Sequence, residues 1–491
     1  MSESIGERVD SKALDRGLIR GVAWVGASKA ATQLFSWATL LVVARLLAPS
    51  DYGVAAASAT AIGLVGMVTE LGLGTAVVAM RDLSSRELSQ LAGVGVVGGI
   101  AAWIVSALLA LVLPTALRVP ELRYILPVSG VVVALAAAAT VPMASLRRGM
   151  DFRGVARIDL ARAVVASGAM LTLAFTMRSY WAIILSEVAA SVVMLVLVMS
   201  SFRQRVHLPV WRDVRASLAF SRDVLVSRIA WYVYDNADFA VVGRMLGKQS
   251  LGDYSMAWTL VTLPNEKIAT LVLGVTPSVF AKVRDDLPEF RRYVLLLVEV
   301  LSTLLFPACI GMALVAPELV LVALGPSWSA SVPIVQALAA FAMVRAISPI
   351  ASQVLVSRGR TREALGFSLL GAVLLPVGFW VGTRWGTVGV ALVWPIVFPV
   401  IGTLQFRAAA RELEMPLSAA GRVLLPSVIG TLGMGVAVAA ARSAMVGAHL
   451  PPVVILAASV AIGALVYALA MVLLARPRLQ MLWRLVRYRQ F

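Results

Sequence analysis

Long apolar runs separated by short, basic, turn-rich segments recur from residue 22 to residue 475, and no other property restricts the fold as strongly. Within hydrocarbon every backbone N–H and C=O must be satisfied by its own segment or a closed barrel. Runs of about 20 apolar residues are the length that crosses a hydrocarbon core of about 30 Å as a helix. Cutting the chain at charges and turn residues predicts spans at 22–47, 54–80, 91–117, 124–146, 160–177, 180–202, 218–243, 254–281, 293–316, 331–356, 364–383, 385–406, 421–441 and 452–475. The expected fold class is therefore an all-α integral membrane protein of about fourteen transmembrane helices. With 60% of 491 residues hydrophobic and 14% charged, too little polar surface remains for a water-soluble molecule of this size.

A net charge of +17 would suit a nucleic-acid partner only if the cations clustered on a solvated face. Here they punctuate apolar runs, so no nucleic acid is expected. The lone Cys309 cannot form an internal disulfide, and His207 and His449 do not supply a zinc set. Nothing in the sequence asks for a cofactor. Residues 1–20 lack the short apolar core and small-residue cleavage site of a secretory signal, so none is expected.

Lys and Arg are retained on the cytoplasmic side, which tests the cut independently. With the N-terminus inside, only Arg45, Arg118, Arg123, Arg178, Arg244, Lys248, Arg384 and Arg442 fall in outer loops. Nearly all the other cations of the 43 fall in inner loops or termini. Loop-by-loop alternation of this kind predicts an even helix count with both ends cytoplasmic.

The chain also resembles itself. An offset of 199 residues lays Ser28-Lys29 on Ser227-Arg228, Val42 to Leu47 on Val241 to Leu246, and Gly53 on Gly252; an offset of 197 lays Pro120-Glu121-Leu122 on Pro317-Glu318-Leu319. Duplicated halves of six helices keep the same orientation, which makes parallel repeats about an axis along the membrane normal. The expected organisation is a cytoplasmic segment 1–21, an N-lobe 22–202, an interfacial linker 203–217, a C-lobe 218–410, appended helices 411–475 and a basic tail 476–491. The basic segment 203–222 and the tail read as interfacial helices on anionic lipid.

Three segments carry a family resemblance: Ala44-Arg45-Leu46-Leu47-Ala48-Pro49-Ser50-Asp51-Tyr52-Gly53; Leu146-Arg147-Arg148-Gly149-Met150-Asp151-Phe152-Arg153; and Ala316-Pro317-Glu318-Leu319 running to Leu324-Gly325-Pro326-Ser327-Trp328. Through about residue 410 the chain resembles the polysaccharide transport (Wzx-like) flippases of the multidrug/oligosaccharidyl-lipid/polysaccharide exporter superfamily. The middle segment leans toward the exopolysaccharide exporter branch, from which it departs by placing Gly149 between Arg148 and Met150. The resemblance implies two six-helix lobes in a V around a central cavity that opens alternately to either side. It implies as cargo an undecaprenyl-pyrophosphate-linked oligosaccharide for exopolysaccharide or lipopolysaccharide biosynthesis, with membrane lipid and a polysaccharide polymerase complex as partners.

Carrying a diphosphate and many hydroxyls through hydrocarbon requires polar groups that replace their water. Lys29, Arg228, Lys267 and Arg345 lie within the expected spans, and intramembrane charges mark pathways by default. Lys29 and Arg228 share one position in the two repeats. They either face the diphosphate from opposite walls of a cavity or snorkel to headgroups. Tyr232, Asp235, Asn236 and Asp238 make the same helix polar; the two carboxylates either couple transport to a proton or sodium ion or neutralise arginines on neighbouring helices. Glu70 is a further cavity candidate, though Glu70, Glu187 and Glu299 suit lobe-stabilising pairs better. Lys267 beside Glu266 and Pro264 lies on a helix able to bend.

Gly93-Val94-Gly95-Val96-Val97-Gly98 matches a dinucleotide fingerprint but lies in an apolar span, so close helix packing through Gly95 and Gly99 is the better account. No catalytic triad, phosphate loop or solvated carboxylate pair is apparent, and the chain reads as a transporter. Lipid II flipping and drug/cation antiport are the alternatives on the same fold. A polytopic glycosyltransferase or polymerase, or a non-transporting scaffold, are alternatives of other classes.

Overall fold

The computed structural model describes residues 32–33, 35–70, 73–79, 83–202, 204–273 and 276–474. The described residues hold no strand. The helices run in order as α1 (Phe35–Leu46), α2 (Pro49–Glu70), α3 (Leu73–Ala79), α4 (Ser85–Ala116), α5 (Leu122–Arg148), α6 (Phe152–Met177), α7 (Trp181–Ser201) and α8 (Trp211–Leu273). There follow α9 (Thr276–Val283), α10 (Leu287–Ala323), α11 (Val332–Ser357), α12 (Thr361–Gly382), α13 (Gly386–Glu412), α14 (Leu417–Gly447) and α15 (Pro452–Leu474). Among the described residues nine helical stretches are long and apolar enough to cross a membrane, and one of them, Thr361–Glu412, holds both α12 and α13. The protein is thus an all-helical, multi-pass membrane protein. The expected spans 218–243 and 254–281 fall in α8 and α9, where Gly247, at φ 87°, breaks the helical path.

Helix starts follow local chemistry. Pro49 opens α2 at a position that needs no N–H, and Asp51 reaches back to accept from the Ala48 N–H at 3.1 Å. Ser84 and Glu87 exchange hydrogen bonds in a full capping box ahead of α4. Asp151 caps α6 by accepting from Gly154 N at 2.8 Å, and Asp286 caps α10 through Glu289 N at 3.1 Å. Between α5 and α6 the left-handed residue is Met150, at φ 56°, and not the neighbouring Gly149.

The packing forms two compact units. The first comprises the described residues of 1–47, 61–115 and 120–229, the second those of 48–60, 116–119 and 230–491. In the first unit, Gly95 and Gly99 of α4 lie against the Ala137 and Ala134 carbonyls of α5, where an added Cβ would stand 2.6 and 2.7 Å from the oxygens. That is the close packing predicted for these glycines. Arg162 of α6 pairs with Glu187 of α7 at 2.9 Å, a stabilising partnership of the expected kind.

The basic segment 203–222 is helical only in part. Residues 205–210 have no regular structure, and α8 begins at Trp211. Pro209 disfavours helix at Leu208, and α4 captures the backbone instead. His207 N donates to Ser89 O at 3.2 Å, and Gly93 leaves the His207 carbonyl a space that a Cβ would close to 1.9 Å. The tail 476–491 lies outside the described residues.

In the second unit α10 is the centre. Phe290, Val298 and Leu305 of α10 pack with Ile350 and Val354 of α11 in one buried cluster. The appended helices dock on α10 through polar groups as well as apolar ones. Ser427 of α14 lies 3.0 Å from Thr303, Tyr467 of α15 donates to the Thr303 carbonyl at 2.8 Å, and Arg442 pairs with the buried Glu318 at 2.9 Å. Interhelical hydrogen bonds of this kind are the polar glue of membrane bundles.

Also within this unit, the start of α2 crosses α8 just beyond its break. A Cβ on Gly53 would stand 1.7 Å from the Lys248 carbonyl oxygen, and a Cβ on Gly252 would stand 1.7 Å from that of Pro49. The contact is reciprocal at the repeat offset of 199, which maps Pro49 to Lys248 and Gly53 to Gly252. Beside it Tyr52 meets Trp328 edge-on at 5.2 Å, so two of the three resemblance-bearing segments pack on each other.

Candidate functional site

The sequence-derived candidates distribute unevenly. Lys29 lies outside the described residues, as do the side chains of Glu70, Arg228 and Lys267. Arg345 and Asp235, in contrast, come together. Arg345, on α11, donates from Nη1 to Asp235 Oδ1 at 2.8 Å and from Nη2 to Oδ2 at 3.3 Å. This two-pronged geometry is the one a guanidinium also offers to phosphate. The two side chains expose 26% and 14% of their surface, so the pair is largely withdrawn from its surroundings while Arg345 keeps one accessible edge. Its guanidinium lies over the Trp258 ring at 5.3 Å and the Phe341 ring at 5.7 Å, which favours a desolvated cation.

One turn along α8 from Asp235, Asp238 is fully buried. Among the described residues it meets no arginine. Tyr254 donates to its Oδ2 at 2.7 Å, Trp394 Nε1 to the same oxygen at 3.0 Å, and Phe239 N to Oδ1 at 2.9 Å. Trp394 stacks on Phe341 at 4.5 Å and touches Trp258 at 5.5 Å, so one aromatic cluster seats both the Asp238 network and Arg345. Tyr232 donates to the Thr60 carbonyl at 2.8 Å, and Asn236 Nδ2 to the Tyr232 carbonyl at 3.0 Å. These two polar groups brace α8.

The ion pair borders a cavity of about 350 Å³ between α8, α11, α12 and α13. Its remaining wall carries Ser348, Ser352 and Gln353 of α11, Ser368 of α12, Gln405 of α13, and the rings of Phe367 and Phe398. None of these was a candidate from sequence. The signal was present: Arg345, Ser348 and Ser352 recur at three and seven residues, a polar stripe along an otherwise apolar helix. Phe398, Ile401, Gly402 and Gln405 form the matching stripe on α13.

A membrane-embedded helical bundle with a ligand-sized hollow that carries polar side chains, and a half-buried cation forked by a carboxylate beside it, has the build of a membrane transporter. The chain belongs to the polysaccharide biosynthesis protein family, whose model matches residues 42–333. It is 24% identical over 413 residues to the teichuronic acid biosynthesis protein TuaB of Bacillus subtilis (strain 168), covering 83% of this chain and 85% of that relative. It is 24% identical over 481 residues to the succinoglycan biosynthesis transport protein ExoT of Rhizobium meliloti (strain 1021), covering 96% of each. Among solved structures it is similar to the lipid II flippase MurJ in an inward closed conformation, with a TM-score of 0.71, 13% identity, and 91% and 98% of the two chains covered. An inward-facing multidrug resistance MATE transporter gives a TM-score of 0.60, 15% identity, and coverage of 80% and 96%. At these identities the two structures speak for the fold.

Proposed function

We propose that the chain is a flippase that moves a prenyl-pyrophosphate-linked oligosaccharide from the cytoplasmic to the outer leaflet of the bacterial inner membrane, for assembly of an exported polysaccharide. The observation that carries this reading is the Asp235–Arg345 fork at the cavity wall. Asp235 satisfies Arg345 without cargo; an arriving diphosphate presents the same paired oxygens with greater charge and displaces it. The released carboxylate takes a proton or a cation, which couples cargo binding to ion movement. Two lobes, 22–202 and 218–410, then rock to present the site to the other side, with both termini cytoplasmic. Family membership and relatives named for polysaccharide biosynthesis and transport support the cargo class. A cationic drug would face Arg345, which disfavours antiport of that kind, and transport needs no catalytic group. Delivery to a polymerase completes the scheme.

The test is polymer export from cells carrying Arg345→Ala or Arg345→Lys. Export falls at least tenfold for Ala and less for Lys, a point charge without the fork, at unchanged membrane abundance. Full export by Arg345→Ala removes the proposal.

A further inference from the structure

Arginines on the side expected to face the cytoplasm are neutralised differently in the two units. In the second unit Arg291 pairs with Glu414 at 3.2 Å, Arg292 donates to Glu289 at 2.9 Å, and Arg360 reaches Glu412 at 2.8 Å. In the first unit the turn between α5 and α6 carries Arg147, Arg153 and Arg157, all exposed, and among the described residues none of the three has an ion-pair or hydrogen-bond partner. The carboxylates close by in the chain are committed or turned away. Asp151 accepts from Gly154 N at 2.8 Å, Glu187 pairs with Arg162 at 2.9 Å, and Asp159, two residues beyond Arg157, points off a different face of the helix. Arg153 and Arg157 stand one turn apart on one face of α6, where like charges repel until an anion from outside the chain joins them.

That face continues as apolar surface. Positions 153, 157, 160 and 164 recur at helical spacing, and Leu160 and Val164 are 37% and 50% exposed. Gly168 follows on the same stripe and leaves open space, since an added Cβ would meet nothing within 4 Å. Elsewhere on α6, Ile158 packs with Val198 of α7 and Arg162 pairs with Glu187, so the stripe is a face left over from helix packing. At a rise of about 1.5 Å per residue, Arg157 and Arg153 precede Leu160, the first residue of the expected span 160–177, by roughly 4.5 and 10 Å. The polar layer of a bilayer reaches about 5–8 Å beyond the hydrocarbon on each side, which puts the two guanidinium groups at phosphate depth, within reach of their long stems. A zwitterionic headgroup brings its own cation to the arginines; an anionic one brings none.

We infer that Arg153 and Arg157 form a binding site for an anionic phospholipid of the cytoplasmic leaflet, its phosphate gripped by the two guanidinium groups and an acyl chain lying along Leu160, Val164 and Gly168. Arg147, across the turn, adds to the positive field. The site is separate from Arg345 and requires nothing of the cargo.

The test is native mass spectrometry of the purified full-length chain, titrated with dioleoyl phosphatidylglycerol and with dioleoyl phosphatidylcholine. Each arginine beside an anionic headgroup contributes about a fivefold preference, so the wild type binds its first phosphatidylglycerol roughly tenfold or more tighter than phosphatidylcholine. Arg153→Gln with Arg157→Gln brings the two affinities to within about threefold by weakening phosphatidylglycerol alone. Both positions are exposed and their charges repel, so this variant keeps the wild-type melting temperature in phosphatidylcholine nanodiscs. Arg407→Gln with Arg411→Gln removes the same charge from α13 and keeps the preference. Equal affinity for the two lipids in the wild type overturns the site, as does a preference that survives the α6 substitutions or one that the α13 substitutions also abolish. Loss of polymer export in the α6 variant with its lipid preference intact assigns the arginines to a soluble partner and overturns the site as well.

Discussion

Arg345 and Asp235 occupy helices 110 residues apart in the chain, and each makes the other tolerable in the bundle. Removing one partner of a largely buried pair leaves a charge without compensation, which costs roughly 3 kcal/mol or more. Asp235→Asn therefore lowers the melting temperature of the purified protein, and Asp235→Asn with Arg345→Met recovers most of the loss. A double-mutant cycle on thermal stability measures the coupling, and additive effects would show that the pair contributes nothing jointly. Sequence identified both residues individually because charges within apolar runs are conspicuous. Their partnership was not legible, since no local spacing relates α8 to α11. Asp238 was equally visible, but its partners Tyr254 and Trp394 are ordinary aromatic residues whose N–H and O–H become meaningful only once Trp394, 156 residues away, is beside it.

Among elements, helix boundaries and close crossings were the most readable. Gly95 and Gly99 announced their packing because glycine inside an apolar helix has few other uses. The irregular stretch 205–210 has a comparable cause: cations suggested a helix on lipid, while Pro209 and the contacts with α4 decided the backbone there. At the crossing of α2 and α8, Gly53→Ala forces backbone apart and costs about 2–3 kcal/mol. Gly252→Ala costs a similar amount, and the double variant loses less than the sum, measurable as melting temperatures of the purified protein. Close by, between the expected spans, burial raises the Asp253 carboxyl above the ordinary carboxylate range, opposed by the hydrogen bond from Ser331 at 3.0 Å. The folded state then holds this proton more tightly than the unfolded one. The contribution is fully present below the ordinary carboxylate pKa and is lost as pH rises through the raised value. The melting temperature of the wild type relative to Asp253→Asn accordingly declines with rising pH across that window; a constant difference would show that Asp253 does not titrate there.

For the whole molecule, the alternation of basic loops carried more information than any motif. Loops expected to share the inner side do meet: Arg358 donates to the Arg284 carbonyl at 2.9 Å, Arg360 to Glu412 at 2.8 Å, and Arg291 pairs with Glu414 at 3.2 Å. On the expected outer side Glu318 holds Arg442 and Ser331 holds Asp253. Sidedness itself is open to a direct measurement because the single native cysteine, Cys309, is buried and silent. In intact cells an impermeant maleimide labels Arg384→Cys and not Arg411→Cys, and the reverse pattern inverts the assigned topology. The serines and glutamines of the cavity escaped sequence reading because serine bonded to its own helix is unremarkable anywhere in a membrane span. Finally, the crossing at Gly53 and Gly252 is symmetric, each glycine making room for a carbonyl of the other helix, so bulk gained at either position pushes on both backbones at once and neither helix can shift there alone.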